Sequence, residues 1–156
     1  MNKNKDIKFV LFDTYIATIK KSVGAKMFQN AYALVSGKKV DVAGGGVDSC
    51  AVFASSVLVM FGLIKKRHAT VSGTMKDMEK SGWIEIKKPK MGAILIWGPW
   101  EESSHWHIGF YTKNKKAISN DWKKRTPSQH HWTYGTKNGR PKRPIKSIWW
   151  HKSLDN

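Results

Sequence analysis

The run from Cys50 to Ile64, Cys-Ala-Val-Phe-Ala-Ser-Ser-Val-Leu-Val-Met-Phe-Gly-Leu-Ile, is apolar on almost every side, with only Ser55, Ser56 and Gly62 interrupting it. A helix without a polar stripe has no face to turn to water, so this segment predicts a buried central helix around which the remaining elements must pack. Asp48 and Ser49 both suit an N-cap, which puts the start of that helix at Cys50. The run falls short of the ~20 apolar residues that cross a bilayer, and no transmembrane helix is expected.

A chain built round such a helix must also supply partners for it. The 156 residues include 28 Lys+Arg against 11 Asp+Glu, a formal charge of +17 that alone would suggest disorder. Eight Trp, six Phe and four Tyr supply what a disordered chain lacks, and the length suits one domain over 1–156. No internal repeat and no linker divides it. A single cysteine excludes an intramolecular disulfide framework, and neither CxxC nor HExxH spacing is present for a zinc site. Lys3, Lys5 and Lys8 precede Phe9-Val10-Leu11-Phe12, which resembles the start of a signal. Asp13 interrupts the run and no small-x-small cleavage site follows, so no Sec signal is expected, which leaves open cytoplasmic synthesis with a non-Sec route outward or an intracellular role.

Ahead of the central helix, Ile7, Val10, Leu11, Tyr15, Thr18 and Ile19 fall near one stripe and predict an amphipathic helix over 7–21, ended by Gly24. A second helical segment is expected over 25–34, before Ser36-Gly37 and a loop at Gly44-Gly45-Gly46. Those glycines are followed by no Gly-Lys-Ser/Thr and do not match a phosphate loop. After the central helix, Thr74 to Asp77 reads as a loose capping box of a short helix that Gly82 stops. From residue 84 the period changes. Ile84 and Ile86, Ala93 to Trp97, His107 to Tyr111, Ala117-Ile118 and Ile148 to Trp150 form short β-rich runs separated by turn residues. Helices over about 7–82 followed by an antiparallel sheet over about 83–152 make an α+β domain.

Three residues stand out chemically: Cys50 at a helix start, His107 at the start of a strand and Asn120 at the end of the next. A nucleophilic thiolate needs a basic partner, and an imidazole needs a polar third group to fix which nitrogen faces the sulfur. A helix N-terminus favours a thiolate and points N–H groups at a tetrahedral oxyanion. Against this stand plainer roles. Free cysteines are among the most buried residues and are usually inert, His107 would serve as a packed core histidine, and Asn120 with Asp121 would close a turn. His105 shares the strand face of His107 but lies nearer the turn at Glu101 to Ser104. His130 and His131 point to opposite faces if they lie on a strand, which argues against a shared metal site and for one packing while the other lines a groove.

The segments Gly45 to Phe53, Lys90 to Trp97 and His107-Ile108-Gly109-Phe110-Tyr111 together resemble the NlpC and CHAP superfamily of papain-like cysteine hydrolases over residues 24 to 122. The resemblance implies a papain-like α+β fold and hydrolysis of amide bonds in peptidoglycan, by an endopeptidase or amidase, with Cys50 as nucleophile and His107 as general base. At the position that commonly carries a third catalytic His the chain has Ser119-Asn120. Asn120 is the preferred orienting residue, because an amide oxygen can accept the imidazole N–H, with Asp121 or Ser119 in reserve. Thioester chemistry of this kind requires no metal or organic cofactor. Trp97, Trp100 and Trp106 are candidates for the walls of a substrate groove, with Trp97 equally suited to the core.

Basic residues concentrate late: twelve Lys and Arg face only Asp121 across 113–152. The plain reading of this charge is a solvated surface, and the functional reading is attraction to a polyanion: the anionic cell wall, an anionic membrane surface or nucleic acid. The rival function is a non-enzymatic nucleic-acid-binding domain in which Trp122, Trp132 and Tyr134 stack on bases while Lys and Arg track phosphates. No recognition-helix, RNP or zinc-finger pattern accompanies it.

Overall fold

The computed structural model describes residues 5–155, and Lys3 of the basic start lies outside them. Helix α1 spans Leu11–Lys21, shorter than the expected 7–21, and buries Tyr15 and Ile19 of the predicted stripe together with Ile16, which the spacing does not place there. It begins after Ile7, Phe9 and Val10, which are exposed. The expected helix over 25–34 does not form. A single 3-10 turn, Lys26–Phe28, gives way to a hairpin of β1 (Tyr32–Val35) and β2 (Lys38–Asp41). Its two-residue loop, Ser36-Gly37, takes φ of 50° and 78°, the left-handed pair that matches the twist of a tight hairpin. Asp41 ends the hairpin by accepting the amides of Ala31, Ala43 and Gly45, which with Asn30 hold its carboxyl down to about 2.

The central helix, α2, spans Cys50–Met60 and buries nearly every side chain from Ala51 to Leu58. It stops short of Ile64 because the chain turns at Gly62, with φ of 65°, while Leu63 and Ile64 stay in the core. Helix α3 spans Val71–Lys80. Its cap is Thr70, which accepts the Gly73 amide at 3.0 Å, rather than the expected Thr74. Asp77 is occupied elsewhere, accepting the Lys65 and Lys66 amides at 3.0 and 3.1 Å and pairing with His68 Nε2 at 2.7 Å.

The second half is a six-stranded antiparallel sheet whose strands lie side by side in the order Trp83–Glu85, Ile145–His151, Ile94–Trp97, His107–Lys113, Lys116–Asp121 and Thr126–His131. The strands are β3 (Trp83–Glu85), β4 (Ile94–Trp97), β5 (His107–Lys113), β6 (Lys116–Asp121), β7 (Thr126–His131) and β10 (Ile145–His151). A small hairpin, β8 (Thr136–Lys137) and β9 (Arg140–Pro141), precedes β10. Three helices and this sheet make the fold α+β, as expected. Helix α2 lies on β5 and β6, with Phe53 edge-on to Phe110 at 5.4 Å and Tyr15 edge-on to Phe110 at 6.0 Å. That packing fixes the start of α2 relative to the first residues of β5. Among the described residues no helix is long and apolar enough to cross a membrane.

Candidate active site

A cleft of about 1150 Å³ opens over the start of α2, and Cys50, His107, Ser119, Asn120, His130 and Arg143 are among the residues that line it. Cys50 is the first residue of α2 and is only partly buried. Ser49 stands at the N-cap position, but its hydroxyl donates to the Phe28 carbonyl instead of folding back, so no side chain caps the helix. The positive end of α2 therefore faces the cleft uncapped by any side chain.

Strand register explains the polar cluster beside it. Gly109 on β5 lies directly opposite Ser119 on β6, so His107, two residues earlier on the same face, is diagonal to Ser119. On the other side Ala117 pairs with His130 of β7, which places His130 diagonal to Ser119 as well. The missing side chain at Gly109 lets the strands close in. A Cβ there would stand 2.6 Å from Ser119 Cβ and 2.7 Å from the Ile118 carbonyl oxygen. Ser119 Oγ accordingly lies 2.8 Å from His107 Nε2, 2.7 Å from His130 Nε2 and 3.2 Å from the Tyr134 hydroxyl.

These bonds fix both tautomers. His130 Nδ1 lies 2.8 Å from the His131 carbonyl oxygen, which only accepts, so Nδ1 carries the proton. Burial pushes the pKa of His130 down to about 4, which leaves the neutral ring with a lone pair on Nε2. Ser119 must then donate to His130, and its oxygen accepts from His107 Nε2–H and from Tyr134. His107 is held with its proton on Nε2 and its basic lone pair on Nδ1. Tyr134 lies flat on His130 with ring centroids 4.1 Å apart and adopts φ of 59°, a left-handed conformation rare for an aromatic residue.

Burial also acts on the titrating groups of the cleft. It lowers the His107 pKa well below the ordinary imidazole value, and the nearby Arg143 charge adds to this. Burial raises the Cys50 thiol, against opposing hydrogen bonds from the Ile108 and Ala51 backbone and the field of Arg143. Burial thus works against the thiolate that a helix start favours, while the two backbone hydrogen bonds and Arg143 work for it.

Asn120 does not orient His107. Strand alternation turns it to the opposite face from Ser119, where its Nδ2 donates to the Gly46 carbonyl at 2.8 Å and ties β6 to the loop leading into Cys50. Its Oδ1 is buried without a partner. Asp121, the other reserve, accepts the amides of Lys123 and Lys124 at 2.9 and 3.1 Å and closes the following turn. Ser119 is the residue in contact with His107. His131 faces away from His130 and braces a turn by accepting the amides of Thr133 and Gly135, so one histidine of the pair lines the cleft and the other packs. Trp97 is wholly buried and belongs to the core, its indole N–H donating to the Trp132 carbonyl at 2.7 Å. Trp100 and Trp106 line the cleft.

The residue that sequence reasoning missed is Arg143, which it counted within the exposed basic field. It is 5% exposed, its Nε donates to the Gly98 carbonyl at 3.0 Å and its Nη2 to the His105 carbonyl at 2.8 Å. Nothing in the run Arg140 to Pro144 distinguishes it from its basic neighbours. Among the described residues no group of three or more His, Cys, Asp or Glu side chains is placed to hold a metal ion. No protein-family model matches the chain, and no curated protein matches its sequence.

Proposed function

We propose that this chain is a cysteine-dependent hydrolase of amide bonds with a papain-like fold, a divergent relative of the NlpC and CHAP hydrolases, acting on peptidoglycan stem peptides. One observation carries the reading: Cys50 opens an uncapped helix at the cleft that His107 also lines, and His107 is held by Ser119 with Nδ1 as its basic nitrogen. His107 Nδ1 takes the proton from Cys50 Sγ as the sulfur attacks the amide carbonyl. The oxyanion forms against the N-terminal amides of α2. Collapse expels the amine, which takes the proton back from the His107 imidazolium, and leaves a thioester on Cys50. Water, deprotonated by the same Nδ1, then hydrolyses the thioester to the acid and the free thiol. Ser119 serves as the positioning residue, and His130 and Tyr134 hold Ser119 in turn.

The rival reading as a nucleic-acid binder draws less support. Of its three stacking rings, Tyr134 is stacked on His130 and Trp132 packs edge-on against Tyr111 at 5.7 Å, which leaves Trp122 exposed. The test is digestion of purified muropeptides followed by mass spectrometry. New amino and carboxyl termini released by the protein and absent with Cys50→Ala are expected. Cleavage that survives Cys50→Ala overturns the proposal.

A further inference from the structure

The hydrolase reading uses the thiol, the imidazole and the helix start, and uses Arg143 only for its field on Cys50 and His107. Its guanidinium is fixed between the Gly98 and His105 carbonyls, with Cζ 5.3 Å from the Trp100 ring centre and 5.7 Å from that of Tyr134. Two uncharged carbonyls and two ring faces hold its plane but do not neutralise it. The ion pairs among the described residues are His68–Asp77, Lys90–Asp155 and Lys137–Glu101, and none includes Arg143. Burying a cation without a counter-ion is expensive, and a guanidinium with N–H groups left over in a cleft has the planar geometry that matches a carboxylate. The acidic side chains at the cleft do not fill that place: Asp121 is engaged with the Lys123 and Lys124 amides, and Asp48 and Glu102 are exposed.

We propose that Arg143 is an anion subsite and that the cleft takes peptides bearing a carboxylate beside the amide to be cut. The inference rests on the hydrolase reading for the word "cut"; the subsite itself does not need turnover to be detected. The guanidinium whose Nε and Nη2 hold the 98–105 loop through the two carbonyls keeps its remaining N–H groups for the carboxylate, so the bound anion neutralises a charge that the fold leaves unpaired.

Cys50 is the only thiol, so paired alkylating reagents read the field at the site directly. Iodoacetate carries a carboxylate and iodoacetamide its neutral amide, and both consume the same thiolate, so changes in thiol pKa or accessibility cancel in the ratio of their rates. A longer pair, the anionic sulfonatoethyl and cationic trimethylammonioethyl methanethiosulfonates, extends the reach. In the intact protein the iodoacetate-to-iodoacetamide ratio should exceed that of N-acetylcysteine by about tenfold, as for a charge-assisted contact. Arg143→Gln should remove most of that excess, Arg143→Lys should keep part of it, and Lys113→Gln, at an exposed position outside the cleft, should leave it unchanged. Should Arg143→Gln fail to fold by circular dichroism, Arg143→Lys decides: a ratio equal to the parent's for both reagent pairs overturns the specific fork. Ready labelling by iodoacetamide with no anionic preference overturns the subsite alone. Labelling that requires unfolding overturns the hydrolase reading and the subsite with it.

Discussion

Replacing Ser119 by Ala tests the logic of the polar cluster, because a single hydroxyl there serves three partners at 2.7 to 3.2 Å. The substitution leaves His107 Nε2–H without an acceptor, His130 Nε2 without a donor and the Tyr134 hydroxyl without its contact. A buried polar group that loses its partner costs ~1–3 kcal/mol, and both histidines keep some access to cleft water, so a combined loss of about 2–3 kcal/mol is expected. Urea denaturation should register it as a lower midpoint at unchanged slope. Nitrogen-15 NMR of the imidazoles supplies the sharper readout. At pH 6 the parent should give a neutral His107 with its proton on Nε2 and a neutral His130 with its proton on Nδ1, since burial lowers both pKa values. In Ser119→Ala the His107 tautomer should no longer be fixed, and amide turnover should fall by at least about tenfold. A His107 protonated on Nδ1 in the parent, or a variant as stable as the parent, would refute the hydrogen-bond assignment.

Other predictions follow from the same geometry. Gly109→Ala forces a methyl group to within 2.6 Å of Ser119 Cβ and 2.7 Å of backbone, neither of which can rotate away, and should cost about 3 kcal/mol in urea denaturation while separating β5 from β6. His130, at about 4 when folded and ~6.5 when unfolded, contributes stability that is fully present above the unfolded value. That stability is lost as pH falls through about 4, because the unfolded chain binds the proton first. Urea midpoints from pH 7 to pH 4 should therefore fall more steeply for the parent than for His130→Gln, by about 2 kcal/mol after allowing for the partial exposure of the ring. Cys50→Ala should abolish turnover with stability within about 1 kcal/mol of the parent by the same denaturation assay, since only a sulfur at a helix start is removed.

The reach of the sequence differed between elements for physical reasons. The helix from Cys50 was legible because an all-round apolar run has one stable placement, and β4 and β5 because their hydrophobic runs are short and bounded by turn residues. The segment 25–34 misled because its apolar spacing fits a helix while Ser36-Gly37 imposes a hairpin from outside it. At the site, Cys50 and His107 carried signals of position, at a helix start and a strand start. The choice between Ser119 and Asn120 depended on which faces the sheet side of His107, a parity that is set by the Gly109–Ser119 register and not by local composition. Arg143 was hidden among other basic residues because its burial comes from the fold of the 98–105 loop over it, a contact between distant parts of the chain.

The most direct test of a Cys50-centred hydrolase is intact-protein mass spectrometry after rapid acid quench of the protein mixed with stem-peptide substrate in water enriched in oxygen-18. The account predicts a transient acyl adduct that maps to Cys50 and is absent in His107→Ala, together with one heavy oxygen in the released acid. Peptide cleavage with no adduct, undiminished in Cys50→Ala, would contradict it.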